Sequence, residues 1–252
     1  MTMEPSSESL GAASSGPHRF TLPPSYDCIG LVDSFEELLE TPFTGDVNAL
    51  CWPRELPGDF HEIVKMLDSG SGINSISDAT LAALPLSAAG RVARVIIAAD
   101  RQRLRQHHLA PTLDCVHGYD HSDEGVIVPT HVQSWHVDSA TDEADTWLCT
   151  YSGAPSEGIQ NADAMRRVDD PATRAQLLQM YGGPDDEGFL DFLNEHFFDL
   201  HYQPLPGARP WSFGVGHLWK IACLYDGSPV PPCVHRAPPT IPGQPPRLLL
   251  IS

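Results

Sequence analysis

Trp135-His136-Val137-Asp138 places one imidazole and one carboxylate two residues apart, and His235 lies 97 residues beyond Asp138. On an extended strand, residues two apart project from the same side. His136 and Asp138 can therefore face one ion, and His235, brought in from a distant strand, can supply a third ligand. Two neutral imidazoles and a carboxylate make the 2-His-1-carboxylate facial set that suits non-haem Fe(II) and leaves coordination positions open. With 12 His and 33 acidic residues in the chain, H-x-D alone would be a common coincidence. The C-terminal run Cys233-Val234-His235-Arg236-Ala237-Pro238-Pro239, followed by Pro246-Arg247-Leu248-Leu249-Leu250-Ile251-Ser252, gives the pair its counterpart. Arg247 opens an otherwise apolar stretch 12 residues after His235, with no acidic residue between His235 and the C-terminus. A guanidinium buried there needs an anion, because an uncompensated buried charge costs several kcal/mol.

These elements resemble the iron- and 2-oxoglutarate-dependent dioxygenase superfamily, in which H-x-D lies near the start of a double-stranded β-helix and the distal His on a late strand. The phrases W-H-V-D, L-C-T-Y and V-H-R-A-P-P…P-R-L-L-L also look like a bacterial family described only as a domain of unknown function, over about residues 45–252. The resemblance implies a triad of His136, Asp138 and His235 holding Fe(II), with 2-oxoglutarate as co-substrate and O2 as oxidant. It assigns Arg247 to the far carboxylate of 2-oxoglutarate, through a bidentate charge-assisted fork. In the same reading Leu148-Cys149-Thr150-Tyr151 runs beside the H-x-D strand, so that Thr150 or Tyr151 reaches the cofactor. Halogenating relatives replace the Asp with a small residue. Asp138 is present here, which favours hydroxylation, desaturation or ring formation of a small-molecule substrate, with an amino-acid derivative the working guess. Two rival readings are a cupin-type metalloenzyme that does not use 2-oxoglutarate and a non-catalytic β-helix that binds or regulates.

The elements that must position these residues divide the chain into an α-helical first part and a strand-rich second part. The expected fold class is α+β: a double-stranded β-helix of the jelly-roll or cupin type, flanked by N-terminal helices and interrupted by a helical insertion. Residues 1–24, rich in Ser, Gly and Pro, read as a disordered tail, and residues 25–252 as a single domain. Ser34 and Glu37 form a capping box ahead of Phe35, Leu38 and Leu39. Asp59 caps a helix carrying Phe60, Ile63, Val64 and Leu67. A short helix is expected over 77–84 and a longer one over 87–108, with Val92, Val95, Ile96 and Ala99 as its buried stripe. Five arginines on that helix (Arg91, Arg94, Arg101, Arg103, Arg105) read as a solvated face or as a docking face for an acidic partner. Strands are expected over 47–52, 113–116, 125–128, 131–137, 146–151, 211–215, 218–225, 233–235 and 247–251. Residues 153–200 form the expected insertion or lid, with helices over 171–181 and 188–198.

Composition narrows the function classes. A formal charge of −18 argues against nucleic acids and anionic membranes, which need clustered positive charge. No run of 18 apolar residues suggests a membrane span. Six cysteines without a C-x-x-C (Cys28, Cys51, Cys115, Cys149, Cys223, Cys233) are expected to be reduced and buried, and a cytoplasmic location is expected with them. Cys233 would share the face of His235. Among other polar residues, His217 and Lys220 are candidates for the pocket wall, whereas His117 and His121 read as loop residues and His131 as facing away from His136.

Overall fold

A computed structural model describes residues 26–67, 70–119, 122–241 and 243–252. The segment expected to be disordered, 1–24, and His121 lie outside them. The helices are α1 (Phe35–Glu40), α2 (Phe60–Met66), α3 (Asp78–Ala83), α4 (Ala88–Gln106), α5 (Pro171–Tyr181) and α6 (Glu187–Glu195). Strands β1 (Ile29–Leu31), β2 (Ala49–Trp52), β3 (Ile73–Ser75) and β4 (Thr112–Val116) interleave with the first four helices. Next come β5 (Asp145–Ser152), β6 (Glu157–Ile159), β7 (Ala164–Arg166) and, after α6, β8 (Tyr202–Pro204). The chain closes with β9 (Trp211–Ser212), β10 (Leu218–Ala222), β11 (Val234–Arg236) and β12 (Arg247–Ile251).

The fold is mixed α+β, with a seven-stranded sheet ordered β1-β2-β10-β5-β12-β4-β3. All its pairings are antiparallel except β1 with β2. A second sheet, β11-β6-β9, lies against its inner face. The second sheet is widened by antiparallel bridges from His136 to His235 on one side and to His201 on the other. From β4 onward the chain alternates between the sheets: β4 in the large one, the His136 segment in the small one, then β5 large, β6 and β9 small, β10 large, β11 small and β12 large. Among the described residues no helix is long and apolar enough to cross a membrane.

Alternation decides what each strand shows to which layer. On β5, Trp147, Cys149 and Tyr151 join Leu113, Leu248 and Leu250 in the layer covered by α1 to α4. Leu148 points the other way and packs with Trp211, Trp219, Ile221, Cys233 and Leu249 between the sheets. The outer side of the small sheet is closed by Trp135, Val137, Ile159, Leu200 and Val234. All six cysteines are free and buried.

Several expectations shift. The side chains of Ser34, Asp59 and Ser77 cap α1, α2 and α3, each accepting from the backbone N–H three residues on. In α4 the buried stripe is Ala93, Ile97, Asp100, Arg101 and Leu104, while Val92 and Val95 are exposed. The helix is rolled so that Asp100 meets Arg54, whose Nη1 lies 2.8 Å from both carboxylate oxygens, and Tyr151, whose hydroxyl donates to Oδ2 at 2.8 Å. The arginines of α4 are engaged within the chain: Arg91 on Leu86 O, Arg94 on Ala82 O, Arg101 and Arg105 on Asp78, and Arg103 on Asp100. The strand expected over 125–128 is absent, and that over 131–137 contracts to the bridge at His136. The expected insertion starts later than residue 153, because Glu157–Ile159 is β6 and pairs with both β11 and β9. Gly158 hid this strand from a pattern reading. It is needed there because a Cβ at Gly158 would stand 2.2 Å from the Trp211 ring.

The Arg54–Asp100 pair generates a stability test. Both side chains are buried, and removal of one leaves the other charge without compensation. Asp100→Ala is expected to destabilise the protein by about 3–5 kcal/mol in urea unfolding, and Asp114→Ala, at a half-buried site, by far less. Equal midpoints for Asp100→Ala and the parent would contradict this account of α4.

Candidate metal centre

Two neighbouring segments deliver the three ligands to the inner face of the small sheet, His136 and Asp138 from one and His235 from β11. His136 pairs with His235 across one bridge, closed by His136 N–H to His235 O at 2.9 Å and His235 N–H to His136 O at 2.8 Å. Asp138 follows two residues later, its carbonyl accepting from Leu224 N–H at 2.7 Å. Candidate ligand atoms of His136, Asp138 and His235 all lie within 4.8 Å of one another. His136 Nε2 is 3.9 Å from Asp138 Oδ1, and His235 Nε2 is 3.6 Å from Asp138 Oδ2. Donors bound about 2.0–2.2 Å from a common ion stand roughly 3–4 Å apart, so this spacing suits one cation.

The hydrogen bonds behind the ligands test the fit further. His136 Nδ1 donates to Ser134 O at 2.8 Å, and His235 Nδ1 donates to Cys233 O at 3.1 Å. A carbonyl oxygen can only accept, so in each neutral ring the proton is on Nδ1 and the lone pair on Nε2. Both lone pairs therefore belong to the atoms that face Asp138. Thr146, at the head of β5, donates from its hydroxyl to Asp138 Oδ2 at 2.6 Å, and Cys223 Sγ lies 3.3 Å behind that hydroxyl. Ligand rings held by backbone carbonyls and a carboxylate held by a hydroxyl are the outer-sphere supports that metal centres use. The donor set fits a divalent cation.

Electrostatics point the same way. Burial, reinforced by the neighbouring His235, holds His136 well below the usual imidazole range. Burial by itself would raise Asp138, but His235, the Thr146 hydroxyl and His136 outweigh it and bring the carboxyl below its ordinary value. His136 is thus a neutral imidazole beside the ionised carboxylate of Asp138, as ligation requires of these two groups.

Comparison with protein-family models, curated proteins and solved structures finds no match. The geometry of the site carries the functional reading.

Of the remaining candidates, Arg247 is buried, and its Nη2 donates to Thr150 Oγ1 at 3.0 Å and Ser156 Oγ at 2.6 Å. Tyr119 also hydrogen-bonds the guanidinium. Nε has no partner, and no ion pair among the described residues involves Arg247. Thr150 and Tyr151 part company. Thr150 reaches Arg247, whereas Tyr151 lies on the other face, stacked on Phe60 and bonded to Asp100, away from the triad. Lys220 serves α1, donating from Nζ to Thr41 O at 2.8 Å and Leu39 O at 3.3 Å. His217 accepts from Arg54 N–H at 3.0 Å, away from the triad. Arg236 pairs with Glu157. Sequence reasoning passed over Ser134, Thr146, Ser156 and His201. Only Ser134, two residues before His136, carried a local signal, because the others reach the site from distant segments.

The direction of the His136 shift sets a pH dependence. An imidazole kept neutral in the fold but titrating near 6.5 when unfolded binds more protons in the unfolded state. Its contribution is present above that value and is lost as pH falls below it. Metal-free protein is expected to lose about 2 kcal/mol per such group between pH 6.5 and 5, and His136→Ala is expected to flatten the slope. Parallel denaturation profiles for the two proteins over that range would contradict the assignment.

Proposed function

We propose that this chain is an Fe(II)- and 2-oxoglutarate-dependent oxygenase acting on a small molecule, built on a double-stranded β-helix. The alternation of β4 to β12 between two facing sheets supports that architecture, since each half-turn of such a helix lays consecutive strands in opposite sheets. The observation that carries the function is one arrangement: a triad on the inner face of the small sheet, and a buried Arg247, the first residue of β12, without a carboxylate partner among the described residues. A buried arginine met, among the described residues, only by hydroxyls is suited to an anion.

His136, Asp138 and His235 would hold Fe(II), and Arg247, Thr150 and Ser156 would receive the distal carboxylate of 2-oxoglutarate. Bound together, iron and 2-oxoglutarate supply the O2-dependent oxidising power that functionalises a C–H bond. The chain's own residues fix the outcome by position. Ser134 O and Cys233 O hold the two imidazole tautomers, and Thr146 holds the carboxylate. Leu148, Leu249 and Trp219 pack an apolar cluster between the sheets, and an apolar surround strengthens charge interactions beside it. Asp138 occupies the third ligand position and so leaves no place there for halide.

A second reading is favoured by one observation. The cavity against Arg247, bordered by Tyr119, Thr240 and Gln244, measures about 40 Å³, room for water rather than a five-carbon diacid. A metalloenzyme of the cupin type that needs no 2-oxoglutarate would leave that cavity small.

Anaerobic titration with Fe(II), with and without 2-oxoglutarate, separates the two. The first reading expects a weak visible charge-transfer band when both are present, lost in His136→Ala, Asp138→Ala and His235→Ala. Arg247→Lys keeps the charge without the planar fork and Arg247→Ala keeps neither, so 2-oxoglutarate affinity is expected to fall in the order parent, Lys, Ala, while Fe(II) affinity stays. Iron bound with no band at any 2-oxoglutarate concentration selects the second reading. Stoichiometric iron in all three triad variants removes both.

A further inference from the structure

A third histidine stands in register with the two imidazole ligands. His201 bridges His136 on the side opposite His235, flanked by Val137 N–H to Leu200 O at 3.1 Å and Tyr202 N–H to Trp135 O at 2.8 Å. Residues directly opposite in an antiparallel pair share a face, so His201, His136 and His235 form a row across three neighbouring segments. The ring centres are 5.8 Å apart between His201 and His136, and 4.5 Å between His136 and His235. His201 is buried and yet does not belong to the cluster of ligand atoms.

What His201 touches is Ser134. Ser134 Oγ lies 2.6 Å from His201 Nδ1, 2.8 Å from His131 O and 3.0 Å from Pro129 O. The two carbonyls can only accept, and the hydroxyl has one hydrogen to give them. With that hydrogen given to a carbonyl, the imidazole is the donor, through Nδ1–H, to the Ser134 oxygen. The same Ser134, through its carbonyl, takes the Nδ1–H of His136. The backbone around it belongs to no strand: residues 131–134 form a turn closed by Ser134 N–H to His131 O at 3.0 Å. The direction of the Ser134 carbonyl thus depends on its side chain, and the side chain depends on His201.

We infer that His201 is a positioning residue of the metal centre, which acts through the Ser134 hydroxyl to hold the carbonyl that orients His136. The inference rests on the reading of His136, Asp138 and His235 as metal ligands. It gives His201 no contact with the ion, and its Nε2 bonds nothing among the described residues.

The two nitrogens can be separated by substitution. The amide nitrogen of Asn sits where Nδ1 does, that of Gln nearer Nε2, and Phe has neither. The probe is Co(II) alone, titrated anaerobically into the full chain and followed by its visible ligand-field absorption, with circular dichroism and metal-free thermal unfolding as fold controls. His201→Gln and His201→Phe are expected to weaken Co(II) by about 10-fold or more, the usual scale for loss of an outer-sphere support. His201→Asn is expected to stay within about threefold of the parent. Ser134→Ala is expected to match His201→Phe, and the double variant to add no further loss, as for two residues acting through one bond. If the parent binds no Co(II), the metal reading itself falls. If the parent binds and His201→Gln and His201→Phe bind equally well, only the inference about His201 falls. Loss in His201→Asn as large as in His201→Phe, with the fold intact, also overturns it, because the bond to Ser134 would then not be the cause.

Discussion

Neighbouring residues of β5 face opposite environments, and that alternation divides the polar chemistry of the molecule in two. Thr146 and Thr150 turn inward, one to Asp138 and the other to Arg247. Cys149 and Tyr151, each next to Thr150 in sequence, turn outward to Arg54 and Asp100. A one-residue slip of β5 would exchange the sets and disconnect both triad and arginine from their supports. Long antiparallel pairing on both edges, with β10 and with β12, is what holds the register. The irregularity between Leu248 and Leu249 falls beside Ser152, at the end of the strand near Arg247, and leaves the Thr146 end regular.

Two buried arginines show how differently the faces treat charge. On the outer face Arg54 has Asp100 as a bidentate-like partner, Gly216 O on Nε and Cys149 Sγ on Nη2. Coulomb attraction and hydrogen bonds there offset desolvation, and the group serves to lock α4 on the sheet. Between the sheets Arg247 has, among the described residues, hydroxyls alone and an unpartnered Nε. Burial lowers its pKa, and Tyr119 only partly opposes this. A stabilising role would be better served by an apolar side chain of the same volume. The arrangement makes sense where an anion completes it.

Local signals in the sequence carried the helices well and the small sheet badly. Ser34, Asp59 and Ser77 begin α1, α2 and α3 through bonds made within three residues, so the expected starts and the observed ones agree. The stripe of α4 was misjudged because Asp100, polar by type, is buried by a partner 46 residues away. β6 was hidden because its middle residue is Gly158, whose bare Cα is required by the Trp211 ring. The convergence of His136, Asp138 and His235 was legible, since two of the three share a strand-like spacing and the third is framed by its own motif. Their supports were not. Thr146, Ser156 and His201 have no pattern of their own and gain meaning only from pairing across the sheets.

The same separation explains why the centre is ready for a cation. Each imidazole proton is taken by the carbonyl two residues before it in the chain, so the tautomers are fixed within each segment. The meeting of the segments is fixed by the backbone exchange between His136 and His235. Asp138 is held below its ordinary value because His235, the Thr146 hydroxyl and His136 together outweigh the cost of burying the charge. An incoming cation therefore meets His136 already neutral, and the carboxylate that burial would otherwise penalise gains a partner of opposite sign. Stability that the metal-free fold gives up in keeping two imidazoles and a carboxylate side by side is returned when one ion satisfies all three.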